Sequence, residues 1–199
     1  WVGNFADLPI EATAEQYQLA YGYEALPEEV NEQQHHAPML QGQNSSDDLF
    51  MWMTRPLSGL KPHTKYQAVF ALELASNAPA GALGIGGAPG ESVYLKAGIS
   101  IEKPQRIAVA GDWRMNIDKG HQSQGGEDAM VLGHIAVDTP IEPEPPYRLK
   151  TFTNAEQPFE FTTQDSEEVW FVIGTDSGFE GFTRLYYPHI QVTLHEMIQ

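Results

Sequence analysis

Apolar side chains recur at every second position along this chain, in short runs cut by Gly and Pro, and that rhythm confines it to sheet. A spacing of two places side chains on one face of a strand, whereas on a helix it would scatter them. Tyr17, Leu19, Tyr21 and Tyr23 alternate with Gln18, Ala20, Gly22 and Glu24, while Tyr66, Ala68, Phe70, Leu72 and Leu74 alternate with Lys65, Gln67, Val69, Ala71 and Glu73. Val169, Phe171 and Ile173 face one way and Trp170 and Val172 the other; Ile190, Val192 and Leu194 alternate with Gln191, Thr193 and His195. Further strands are expected over 49–54, 91–97, 106–110, 129–137, 147–152, 159–163 and 183–187. Leu49-Phe50-Met51-Trp52-Met53 is apolar on both faces, as a central strand would be.

Turn residues separate these runs. Gly59-Leu60-Lys61-Pro62-His63-Thr64 leads into the Lys65 strand and Ser76-Asn77-Ala78-Pro79 follows it. Many short strands at near-regular spacing, with no helix-length periodic segment, predict an all-β, antiparallel β-sandwich of the jelly-roll type with about ten strands. Two short helical turns compete locally. Pro27-Glu28-Glu29 suits a first turn, and Thr13-x-x-Gln16 has the form of a capping box that conflicts with a strand at Tyr17. Residues 140–146, Pro-Ile-Glu-Pro-Glu-Pro-Pro, read as an extended connection across one end of the sandwich. A boundary there would leave a C-terminal piece too small for its own core, so residues 1–199 are expected to form a single domain.

Composition then removes whole classes of function. With 27 Asp and Glu against 11 Lys and Arg the formal net charge is −16, which opposes nucleic-acid backbones and anionic lipid alike. The longest apolar runs are five residues, such as 49–53, against about 20 for a membrane helix, so no membrane insertion is expected. There is no cysteine, hence no disulfide, thiol nucleophile or thiolate metal site. The chain opens at Trp1, and a processed N-terminus or a chosen boundary accounts equally well for that start.

The segment from Gly59 to Leu74 resembles galactose-binding-like jelly rolls and several carbohydrate-binding modules, and Leu185-Tyr186-Tyr187-Pro188-His189-Ile190-Gln191-Val192 resembles their final strand. That resemblance implies sugar binding on exposed aromatics and a structural calcium, with Pro188-His189 standing where many such modules carry an Asp. A second resemblance rests on Ser46-Asp47-Asp48-Leu49-Phe50-Met51, on Gly87-Ala88-Pro89-Gly90-Glu91-Ser92-Val93-Tyr94, on Asn116-Ile117-Asp118-Lys119-Gly120 and on Gly174-Thr175-Asp176-Ser177-Gly178-Phe179-Glu180-Gly181. Together they resemble an uncharacterised family of bacterial secreted or lipoprotein-type proteins, which implies an extracytoplasmic location (periplasmic, secreted or lipid-anchored) and no activity.

Candidate chemistry concentrates in one segment. Residues 111–128 crowd Asp112, Arg114, Asn116, Asp118, Lys119, His121, Gln122, Gln124, Glu127 and Asp128 around Trp113. Amides, carboxylates and an aromatic platform are what sugar recognition uses, and clustered oxygens suit calcium, which takes six to eight of them. Gly81–Gly90 lacks the Gly-Lys-Ser/Thr ending of a phosphate loop and leads into a strand. The seven histidines form no zinc spacing and no Gly-x-Ser-x-Gly elbow is present. The expected function is a non-catalytic extracytoplasmic binding module for carbohydrate or another hydroxyl-rich neutral ligand, without catalytic residues. Trp113, Arg114, Asn116, Asp118, Asp176 and Glu180 are its candidate ligand-binding residues. Asp118, Asp176 and Glu180 are the candidate calcium ligands. Two alternatives stay open: a glycoside hydrolase or polysaccharide lyase on the same sandwich, and a structural or assembly protein of the cell envelope.

Overall fold

The computed structural model describes residues 1–31, 35–165 and 168–197. Fourteen strands run in chain order: β1 (Val2–Ala6), β2 (Leu8–Pro9), β3 (Ala20–Ala25), β4 (His36–Gln43), β5 (Leu49–Leu57), β6 (Lys65–Ser76), β7 (Val93–Ser100), β8 (Arg106–Val109), β9 (Asp112–Met115), β10 (Met130–His134), β11 (Arg148–Thr153), β12 (Phe159–Thr162), β13 (Val169–Ser177) and β14 (Phe182–Glu196). The pairings between these strands are antiparallel. The chain is an all-β antiparallel sandwich. One sheet has five strands in the order β1-β5-β13-β7-β10, the other six in the order β11-β6-β14-β4-β3, with β12 also on β6. A third, small sheet of β2-β9-β8 shares no strand with either.

The alternation does what its period dictates. Tyr66, Ala68, Phe70, Leu72 and Leu74 of β6 point into the sandwich and meet Met51, Met53, Leu95, Ala97, Phe171 and Ile173 from the facing sheet in one core cluster. β5 is buried at every position from Leu49 to Thr54, as its two-sided apolar run requires. Its outward residues Phe50 and Trp52 join Ala6, Val172 and Ile117 in a second cluster on the outer face of the five-stranded sheet. The chain that covers this face is the long connection between β7 and β10, which are paired neighbours. A Cβ at Gly98 would overlap the carbonyl oxygen of Asp128, so the glycine lets this flap lie directly on the sheet.

Several expectations shift in detail. The run from Tyr17 divides: Thr13 and Gln16 exchange the two backbone-to-side-chain bonds of a capping box, both at 3.2 Å, around a tight turn with no helix behind it. Strand β3 begins only at Ala20. Pro27-Glu28-Glu29 opens a single 3-10 turn, Glu28–Val30. The pieces expected at 183–187 and from Ile190 are one strand, β14, with a register shift between Tyr186 and His189. His36 starts β4. Residues 140–146 connect β10 in one sheet to β11 in the other, and so cross the end of the sandwich.

Candidate functional site

Two of the segments singled out in the sequence meet on the covered face. Strand β13 carries Asp176 toward its end, and the flap closes over it: the Gln122 backbone N–H donates to Asp176 Oδ2 at 2.8 Å. The Gln122 side chain reaches across to the Asp47 carbonyl at 3.3 Å. Asp176 is wholly buried, and so is Lys96 on the neighbouring strand β7, 2.9 Å away. Lys96 completes its three donor positions on the flap itself, to the carbonyls of Lys119 at 2.8 Å and Gln124 at 2.9 Å. Lys119 bridges Asp176 at 2.7 Å and Asp7 at 2.8 Å. Arg114, on β9, spans Asp7 at 3.3 Å, Asp48 at 3.1 Å and Asp112 at 2.9 Å.

The backbone is strained to build this. Asp7, Asp47 and Gln122 all hold positive φ, at 59°, 65° and 43°. Asp tolerates that region better than most residues; Gln does not. Asp7 sits at the corner between β1 and β2, where its N–H donates to the Trp113 carbonyl at 2.7 Å. That corner aims its carboxylate under the flap.

Burial and charge divide the acids. Burial would raise the pKa of Asp176, but the Lys119 and Lys96 ammonium groups outweigh it and hold the carboxyl below its usual range. Asp48 goes the other way: burial, and then the charges of Asp176 and Asp7, push its carboxyl up to about 7. Burial lowers Lys96 in spite of Asp176. Burial also works against Lys119, yet Asp176 and Asp7 hold it above the ordinary lysine value.

Above this cluster a pocket of about 210 Å³ opens, lined by Asp7, Asp48, Arg114, Asp118, Lys119 and His121 among others. His121 is 68% exposed and its Nε2 stands 3.6 Å from Asp48 Oδ2. Asp118 lies on the rim with both oxygens engaged, accepting the Gly120 N–H and the Glu127 N–H at 3.0 Å each, and these bonds depress its pKa.

Of the residues proposed from sequence, Arg114, Asp118 and Asp176 therefore share one site, and three others go elsewhere. Trp113 is half-buried against the main core, with the Arg106 guanidinium 4.5 Å from its ring centre, so it is not the open platform its neighbours in sequence suggested. Asn116 ties down the connection before β8: its Oδ1 accepts the Gln105 N–H at 2.8 Å and its Nδ2 donates to the Lys103 carbonyl at 3.2 Å. Glu180 donates its backbone N–H to Ile85 and stands beside Gly86, on the glycine-rich loop. Asp7 and Lys96 were missed. Lys96 left a trace, being the one charge inside Val93-Tyr94-Leu95-Lys96-Ala97-Gly98-Ile99, but nothing around Asp7 marks it.

The expected calcium set of Asp118, Asp176 and Glu180 is thus divided between jobs. Among the described residues, the acids whose oxygens do converge are Asp7, Asp48 and Asp176, one oxygen of each within 4.8 Å of the others. They do not fit a divalent cation, because Lys119 already pairs with Asp7 and Asp176, Lys96 brings a second ammonium to Asp176, and Arg114 pairs with Asp48.

No family model and no curated protein matches the chain. Solved structures similar to it include a family 16 carbohydrate-binding module, 17% identical with 94% of this chain and 99% of that one covered, at a TM-score of 0.34. A CBM4 module is 12% identical, with 92% of this chain and 96% of that one covered and a TM-score of 0.35. The enzymatically active domain of tailspike protein 4 from bacteriophage CBA120 is 10% identical, with 98% of this chain but 19% of that one covered and a TM-score of 0.38.

Proposed function

We propose that this sandwich is a binding module for a hydroxyl-rich neutral ligand, a carbohydrate, taken up in the pocket over the charge cluster. The observation that supports it most directly is the lining: the acceptor Asp48 and the donors Arg114 and His121 stand around one opening. A sugar hydroxyl gives one hydrogen bond and accepts others, so mixed charged donors and acceptors in fixed positions suit it. Fixity comes from below, since Asp7, Asp48 and Asp112 hold Arg114 and the flap is tied to the sheet through Lys96 and Asp176. At about 210 Å³ the pocket is smaller than the roughly 300–1,000 Å³ that drug-sized ligands occupy, which favours one terminal sugar ring over a long chain.

The test is a glycan array run with the wild-type chain, His121→Ala and Arg114→Ala. His121 is exposed, so its replacement leaves the fold alone. A neutral glycan that binds the wild type and loses tenfold or more in affinity with either variant is the expected result. Binding that both variants retain in full moves the site elsewhere on the sandwich, and no binding to any glycan removes the reading.

A further inference from the structure

Beneath the pocket floor, an amine and a carboxyl are held together out of reach of water. Lys96 and Asp176 have side chains 0% exposed and an Nζ–Oδ2 distance of 2.9 Å. They stand on adjacent strands, two positions out of register: Gly174 is opposite Lys96, and Asp176 is opposite Tyr94. Diagonal neighbours on one sheet face are within reach of long side chains, and Gly174 between them adds no side chain of its own.

The surroundings are asymmetric in a way an ion pair alone does not need. Asp176 Oδ2 receives Lys119 Nζ at 2.7 Å and the Gln122 backbone N–H at 2.8 Å, two fixed donors besides Lys96. Asp176 Oδ1 accepts no hydrogen bond among the described residues, although it is buried. Asp48 Oδ1 is orphaned in the same way. The carboxyls of Asp48 and Asp176 approach within 4.8 Å.

We propose that Lys96 and Asp176 condense into a side-chain amide, a covalent cross-link between β7 and β13 that the folded chain makes by itself. Proton transfer from the Lys96 ammonium leaves a neutral amine and an Asp176 carboxyl whose proton rests on Oδ1; burial of Lys96 favours the transfer and the Lys119 charge opposes it, so the neutral pair is the minor, reactive form. The Nζ lone pair then attacks Cγ. Negative charge developing on Oδ2 falls between Lys119 Nζ and the Gln122 N–H, the arrangement of an oxyanion hole. Asp48, whose raised pKa lets it both hold and release a proton near neutrality, gives its proton to the Oδ1 hydroxyl, which leaves as water as the C–Oδ1 bond breaks. Nζ returns a proton to Asp48. The sum is amine plus carboxylic acid to amide plus one water, with no oxidant, nucleotide or metal required. Held geometry supplies the rate, as in other intramolecular reactions of well-placed partners. The amide N–H that remains keeps one of the two flap carbonyls that the ammonium had held.

Intact-mass measurement on the folded full-length chain tests this without reference to any ligand, so it stands or falls separately from the binding reading. The expected mass is lower than that of the sequence by one water. Trypsin should then leave Lys96 uncut and release a branched peptide that joins the Lys96 segment to the Asp176 segment. Lys96→Arg and Asp48→Asn should both show the full mass. Asp48→Asn keeps the lysine, the aspartate and a side chain of the same shape, so native circular dichroism with full mass assigns the proton transfer to Asp48. A wild-type chain at full mass overturns the proposal, as does a lost water that maps to a succinimide or to another residue pair. Water loss that persists in Asp48→Asn overturns the role of Asp48.

Discussion

The two sheets present opposite outer faces. On the six-stranded sheet, His189, Gln191, Thr193 and His195 of β14 are exposed, and apart from a small cluster around Met39 and Tyr186 that face meets water. On the five-stranded sheet, β5, β7 and β13 are buried along most of their length on both sides. A solvated face lets a strand alternate cleanly. A covered one must be greasy on both sides or must neutralise whatever charge it carries, and here it does both: Phe50 and Trp52 pack under the flap at one place, and Lys96 and Asp176 pair at the next. The cost of the second solution is that each charge depends on its partners, since removing one leaves another buried and unpaired.

The sharpest way to break this contrast is to truncate one residue on each face. Asp176→Ala should destabilise the chain by about 3–5 kcal/mol, the usual penalty for orphaning a buried charge, while Gln191→Ala stays within about 0.5 kcal/mol. Urea denaturation midpoints measure both, and equal losses would erase the difference between the faces.

Next in size is the pH dependence that the covered face imposes. Asp48 has its folded pKa raised to about 7, so the folded state holds a proton that the unfolded chain has released. Its contribution to stability is therefore fully present below the unfolded carboxyl value and is lost as pH rises through about 7, with a ceiling near 4 kcal/mol at about 1.4 kcal/mol per pKa unit. Asp48→Asn should flatten that slope between pH 5 and pH 8, whatever its melting temperature at one pH. A variant that keeps the slope intact would place the penalty on another group.

The smallest expected effect is none. Millimolar calcium should leave the melting temperature unmoved, because lysine ammonium groups already sit among the acids that converge. A rise with calcium that a chelator reverses would show that the flap opens a ligand shell of different residues.

How far the sequence showed this follows from the same contrast. β6 was plain because one of its faces is solvated, and β5 because its run is apolar throughout. β4 was hidden: His36-Ala37-Pro38-Met39-Leu40-Gln41-Gly42-Gln43 carries a proline and a glycine and breaks the period, yet β3 and β14 pair with it on either side. β14 read as two strands because Pro188 falls at its bulge. In the site, the crowding of 111–128 and the carboxylate at 176 were visible, and their meeting is what the fold delivers. Asp7 was not visible, since its role depends on a positive φ at a strand corner and on Lys119, which is far from it in sequence. Trp113 misled because its flanking charges, Asp112 and Arg114, engage each other and Arg106 occupies its ring.

The flap interrupts a hairpin, since β7 and β10 remain partners and the whole detour of 101–129 is spliced between them. Scaffold and cover thus occupy separable stretches of chain. An engineer or a lineage could exchange the detour for one of another length and keep every sheet pairing of the frame, provided that Gly98 stayed small and that the new piece brought carbonyls for Lys96 and a cation for Asp176.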